Sequence, residues 1–336
     1  MTINSQTTAA SGLRTVNDHA LIGQAAKIPV PDPVQVVSIN PVIIPAPERI
    51  IDLHMRITAP TTGSNLPVIL LSHGHGNSNH LSSLNGYGPL ANFWAARGFV
   101  VIQPTHLSSK SLSLDASVPG APLFWRSRVK DMKLILDQLD QIEDLVPLLK
   151  GRIDRAYVAV AGHSLGSHTA AMLLGMRLVD EDGSVIDLFE PRIKVGILLT
   201  PIGNGGEDLN TKVFEMFPFL RHTSFAEMKT QALVAVGNID ESPHLTVRGA
   251  DWHADAYVHS PGPKTLLTIV GGTHGLGGVA GYDAKETTDE SPELVAVVQR
   301  VTWAYLWSRL YGEDSVWEEA STVVDGLGEL ARLESK

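Results

Sequence analysis

Six short, largely apolar runs recur along the chain, at residues 67–71, 99–103, 156–161, 195–199, 232–236 and 265–270. They do not alternate in and out, so they fit strands buried on both faces, as in a parallel sheet. Each run leads into a turn rich in Gly, Ser or His, and helical stretches lie between them, at residues 90–97, 126–141, 167–177 and 293–310. In the second of these, Val129, Met132, Leu136 and Leu139 recur at helical spacing beside charged positions. Alternating strand and helix signals predict right-handed βαβ units in an open, doubly wound α/β sheet. Upstream, residues 34–39 and 50–58 read as two further strands, suited to an antiparallel edge. Ile51, Leu53, Met55 and Ile57 there alternate with Asp52, His54 and Arg56.

The chain has 336 residues, 43% of them hydrophobic, enough to bury a large core. Residues 1–30 are expected to form a tail or strap, with Pro29, Pro31 and Pro33 making an extended entry. Residues 31–336 are expected to form a single domain. Two long connections, 105–125 and 202–228, follow the C-terminal ends of predicted strands, where ligands bind in such sheets. Their length suggests lids or binding loops. The net charge of −10 argues against nucleic acid or an anionic membrane surface as a partner. No apolar stretch is long enough to span a bilayer. Residues 1–14 lack the basic and apolar regions of a secretory signal, so a soluble cytoplasmic protein is expected. There is no cysteine, which excludes disulfides, thiolate metal sites and a cysteine nucleophile.

The segment Gly162-His163-Ser164-Leu165-Gly166 stands between the run 156–161 and a helical stretch. A G-x-S-x-G motif in strand–turn–helix context holds its serine out above the sheet as a nucleophile. Such a serine needs a base. Among 13 histidines, His274 is singled out by position, in Gly271-Gly272-Thr273-His274-Gly275 after the last run. The acid belongs on the loop after the preceding run, where Asp240 is the first choice, with Glu241, Asp251 and Asp255 as alternatives. Ser72-His73-Gly74-His75-Gly76 follows the first run, as an oxyanion turn does. The backbone N–H groups of His75 and Leu165 are the expected donors. A competing reading makes His73, His75 and His80 metal ligands, but an H-x-H pair without an adjacent carboxylate is a weak metal signal. The candidate substrate-binding residues are His75, His163, Trp125, Phe214 and Phe217. The aromatics in or beside the long connections, with Phe219 and Phe225, suit a pocket or lid packing equally. His163, His168, His253 and His259 are expected in structural or surface roles, His163 packing under the turn beside Ser164.

On the two glycine-rich turns and the ordered trio Ser164, Asp240 and His274, the chain resembles the α/β-hydrolase superfamily over about residues 34–312. It looks most like bacterial esterases of the dienelactone hydrolase, chlorophyllase and platelet-activating-factor acetylhydrolase type. Leu198-Leu199-Thr200-Pro201 adds to that likeness. Dienelactone hydrolases proper use a cysteine nucleophile, so its absence argues against dienelactone as substrate. The resemblance implies an eight-stranded, mostly parallel twisted sheet with helices on both faces and no large separate cap domain. It also implies hydrolysis of a small-molecule carboxylic ester through an acyl-enzyme on Ser164, with no cofactor and no metal. A hydrophobic or aromatic ester is favoured. Amide, thioester or carbamate cleavage would use the same trio, and a perhydrolase-like activity is a further variant. A non-catalytic binding protein on the same scaffold is the reading from another class. Apolar faces at 291–310 and 315–333 leave monomer and homodimer both open.

Overall fold

The computed structural model describes residues 20–180 and 182–336. Its strands in chain order are β1 (Val36–Ile44), β2 (Leu53–Pro60), β3 (Leu66–Ser72), β4 (Val100–Pro104), β5 (Ile153–His163), β6 (Arg177–Val179), β7 (Val185–Asp187), β8 (Ile193–Leu199), β9 (Thr223–Ser224), β10 (Ala232–Gly237), β11 (Lys264–Ile269) and β12 (Ala331–Ser335). Nine of them form one sheet in the order β1-β2-β4-β3-β5-β8-β10-β11-β12. The six inner strands β4 to β11 pair in parallel. The edges are antiparallel, β1 on β2 and β2 on β4 at one side and β12 on β11 at the other.

The inner strands read as continuous apolar runs because both of their faces are covered. In β3, Ile69 and Leu71 point into one hydrophobic cluster while Val68 and Leu70 point into the other. The first cluster is roofed by α1 (Gly88–Ala95), α7 (Pro292–Tyr311) and α8 (Asp314–Asp325). The second is roofed by α2 (Trp125–Asp137), α3 (Leu139–Leu145) and α4 (Leu165–Leu173). Two short helices, α5 (Thr211–Met216) and α6 (Asp255–Val258), complete the set. β1 tolerates Pro41 because it is an edge strand, and its register shifts between Ile39 and Val42.

The expected sheet of eight strands is corrected to nine. The extra strand, β12, falls largely where the sequence suggested a tail with an apolar face. Only Ala331 of β12 is buried, so the segment carries no hydrophobic pattern; it is held by pairing its backbone to the open edge of β11. The apolar faces of α7 and α8 are spent within the chain, Trp317, Ala320 and Val324 of α8 joining the α7 cluster. Residues 202–228 are not one open loop. They carry α5 and β9, and β9 joins β6 and β7 in a small antiparallel sheet. Residues 1–19 of the expected strap lie outside the described residues. Downstream, a 3₁₀ segment Ala20–Lys27 sits on α7, with Ala25 and Ile28 buried and Arg300 Nη1 donating to the Ile28 carbonyl at 2.5 Å. No helix among the described residues is long and apolar enough to cross a membrane.

Candidate active site

Ser164 occupies the single residue between the end of β5 and the start of α4, with φ 55° and ψ −121°. A non-glycine residue with that φ is strained by about 1–3 kcal/mol and persists only where its surroundings hold it. Two close approaches impose the strain. A Cβ on Gly162 would lie 2.1 Å from the Gly166 carbonyl oxygen, and one on Gly166 would lie 2.0 Å from the Ser72 carbonyl oxygen. α4 can therefore leave β5 directly over β3 only with glycine at both positions. Ser167 Oγ fastens the helix from below, 2.6 Å from the Gly162 carbonyl and 2.7 Å from that of Leu199.

His274 lies just beyond β11, and Asp240 just beyond β10. The His274 Nδ1–H donates to Asp240 Oδ2 at 2.9 Å. Asp240 is 2% exposed, and contacts with His274 hold its carboxyl below the usual carboxylate range against the opposing effect of burial. Of the alternative acids, Asp251 and Asp255 are taken by Arg248, and Glu241 is exposed. The His274 loop is pinned by Asp289 Oδ2, which accepts from Thr273 N at 2.9 Å and Gly277 N at 3.0 Å.

His163 ties three elements together. Gly74 N donates to the Tyr87 hydroxyl at 2.9 Å, that hydroxyl donates to His163 Nδ1 at 2.9 Å, and His163 Nε2–H donates to the His274 carbonyl at 2.7 Å. Burial first, then His274, pulls the His163 pKa down to about 3, so its ring is neutral as this chain of bonds requires. The turn 73–76, the turn at Ser164 and the His274 loop thus share one fixed side chain.

Ser164 and His274 open onto a common cavity of about 50 Å³, walled also by His75, Leu81, His163 and Glu286. Of the expected substrate-binding residues, His75 and His163 line it. Trp125 instead stacks on Phe219 with ring centroids 5.2 Å apart, Phe217 packs with Leu165 in a third cluster, and Phe214 is exposed beneath Arg221. These three aromatics lie outside the cavity lining. Leu165 is the first residue of α4, so its amide belongs to the helix N-terminus. The amides either side of His75 are committed within the protein, that of Gly74 to Tyr87 and that of Gly76 to Ser82 Oγ at 2.9 Å.

No motif or periodicity marks Glu286. Its carboxylate accepts from Ser78 N and Ser78 Oγ, both at 2.7 Å, and so latches the segment before α7 onto the turn after β3. Equally unexpected is a second Ser–His–Asp array. Ser72 Oγ lies 3.0 Å from His106 Nε2, and His106 Nδ1 lies 2.8 Å from Asp131 Oδ2. All three are buried, and none lines the cavity. Buried Arg128 donates to Ser72 Oγ, Ser108 Oγ, Thr169 Oγ1 and the His73 carbonyl. This second array therefore braces the turn 73–76 rather than facing a ligand.

His73 spends both ring nitrogens inside that brace, Nδ1 on the Gly74 carbonyl and Nε2 on the His106 amide. It does not converge with His75 and His80 on a metal position. The metal-capable side chains that do converge among the described residues are Asp240, His253 and His274. Their mutual contacts are at hydrogen-bond length, 2.9 Å and 3.2 Å to the same carboxylate oxygen. His168 is buried edge-on against Phe219, and His259 is exposed 3.7 Å from Asp255. When the chain is compared with family models and with curated proteins, no family model and no curated protein matches it.

Proposed function

We propose that the chain is a serine hydrolase with an α/β-hydrolase fold, cleaving carboxylic esters by acyl transfer through Ser164. One observation carries the reading. A strained serine between a buried strand and a helix faces the same cavity as a histidine whose far nitrogen is held by a buried aspartate. Strain at a single exposed-side serine is what a nucleophile turn requires and what a merely structural turn has no use for.

In the proposed reaction Ser164 Oγ attacks the ester carbonyl carbon as His274 Nε2 takes its proton. Asp240 holds the imidazole in the tautomer that leaves Nε2 free and stabilises the imidazolium that forms. The amides of His75 and Leu165 receive the oxyanion. The tetrahedral intermediate expels the alcohol, which takes the proton back from His274. Water then repeats the sequence and releases the acid. The cavity is small beside the roughly 300–1,000 Å³ of pockets for drug-sized ligands, which favours a short acyl chain.

Turnover of p-nitrophenyl acetate tests the role of the acid. Asp240→Asn should lower kcat by about 10⁴-fold, because the amide favours the wrong imidazole tautomer. A variant that kept the wild-type rate would remove Asp240 from the reaction.

A further inference from the structure

Glu286 brings a negative charge into the cavity shared by Ser164 and His274. It is half-buried and lines the same space of about 50 Å³. Two contacts hold it there. Ser78 donates to both of its oxygens at 2.7 Å, and Gly76 lies so close that a Cβ there would sit 2.6 Å from Oε1. Burial opposes its ionisation, but the hydrogen bonds from Ser78 outweigh that and keep its pKa below the usual carboxylate range. These donors are neutral, so they satisfy the oxygens and leave the charge in place.

Nothing else in the cavity wall balances that charge. Among the described residues no Lys or Arg lines the cavity. Lys285, its chain neighbour, and Lys110, which donates to Asn77 Oδ1 at 2.9 Å, are both exposed. His163 is neutral and commits both ring nitrogens inside the protein, and Thr287 Oγ1 donates to the Gly281 carbonyl at 2.7 Å. His75 is pulled toward its neutral form by burial first, then by Arg128 and Lys110.

In the proposed reaction, attack by Ser164 builds a second negative charge on the carbonyl oxygen, and two anions in one small cavity repel. A latch on Ser78 does not require that penalty, since an amide side chain would bridge the same two groups. A cation in the substrate removes it. A protonated amine seated against Glu286 is bound by a charge-assisted hydrogen bond and offsets the carboxylate as the oxyanion forms. The net charge of −10 favours the approach of a cation and opposes that of an anion.

We propose that Glu286 is a specificity-determining residue of this site, selecting esters whose short group in the cavity carries an ammonium. The inference rests on the hydrolase reading and names the substrate class for it. Pairs of isosteric esters test it, with the ammonium on either side of the ester bond. On the acyl side, methyl β-alaninate is compared with methyl butanoate. On the alcohol side, protonated 2-(dimethylamino)ethyl acetate is compared with 3-methylbutyl acetate. The readout at pH 7 is the ratio of kcat/KM for the cationic ester to that for its neutral isostere. Glu286→Gln should lower this ratio about tenfold in one pair, and that pair identifies the side of the ester that occupies the cavity. Measuring the same esters on both proteins cancels the effect of an ammonium on intrinsic reactivity. A purely structural latch would lower both rates together and leave the ratio unchanged in both pairs, which would overturn the proposal. Should the variant not fold, the wild type decides. Its ratio, divided by that for hydroxide hydrolysis of the same esters, should be about tenfold in one pair, and a value of one or less in both would overturn the proposal. Turnover of the neutral esters without preference would defeat this inference alone, whereas turnover of none of the four would defeat the hydrolase reading itself.

Discussion

Ser164→Ala should lower kcat for p-nitrophenyl acetate by about 10⁶-fold. Among the described residues the other serines in contact with a histidine–aspartate pair, Ser72 beside His106 and Ser242 beside His253, are buried. The substitution removes only a hydroxyl, which makes no hydrogen bond among the described residues, and keeps the Cβ at its positive φ, so thermal stability should hold. Activity and stability thus move independently, which separates loss of a nucleophile from loss of fold. Steady-state kinetics with parallel thermal melts measure both, and a variant with more than a hundredth of wild-type kcat contradicts the assignment.

Gly166→Ala should have a large effect on folding, a loss of more than about 4 kcal/mol. The new methyl would sit 2.0 Å from the Ser72 carbonyl oxygen and 2.8 Å from that of His73. Both are backbone atoms, so no side chain can swing aside. Ser72 is itself held by Arg128 and His106, and β3 by its neighbours on both sides, so the strain has no soft outlet. α4 would have to lift off the sheet, uncovering Ala170, Met172 and Leu173. Denaturant unfolding reads the effect. Wild-type stability in Gly166→Ala would show that the helix does not pass as closely as described.

The parts legible in the sequence were those with a repeated physical cause. Burial on both faces turns β3, β5, β8 and β10 into unbroken apolar runs. Ser164, Asp240 and His274 stood out because each follows the C-terminal end of such a run. β12 was illegible because an edge strand needs only backbone pairing, and the short strands β6, β7 and β9 are too brief to carry a period. His253 and Glu286 reach the site through excursions whose paths depend on packing, as does the brace of Ser72, His106 and Asp131. Trp125, Phe214 and Phe217 were drawn toward the site by their type and loop position. Their placement is instead decided by Phe219, Arg221 and the apolar cluster around Leu165, Leu220 and Trp252.

The central claim is that Ser164 is an activated nucleophile, and covalent labelling tests it most directly. Incubation with a fluorophosphonate probe followed by peptide mass spectrometry should place one phosphonyl group per chain, on the peptide containing Ser164. Labelling should be lost in Ser164→Ala and strongly slowed in His274→Ala. Failure of the folded wild-type protein to react, or modification at any other residue, would contradict the account.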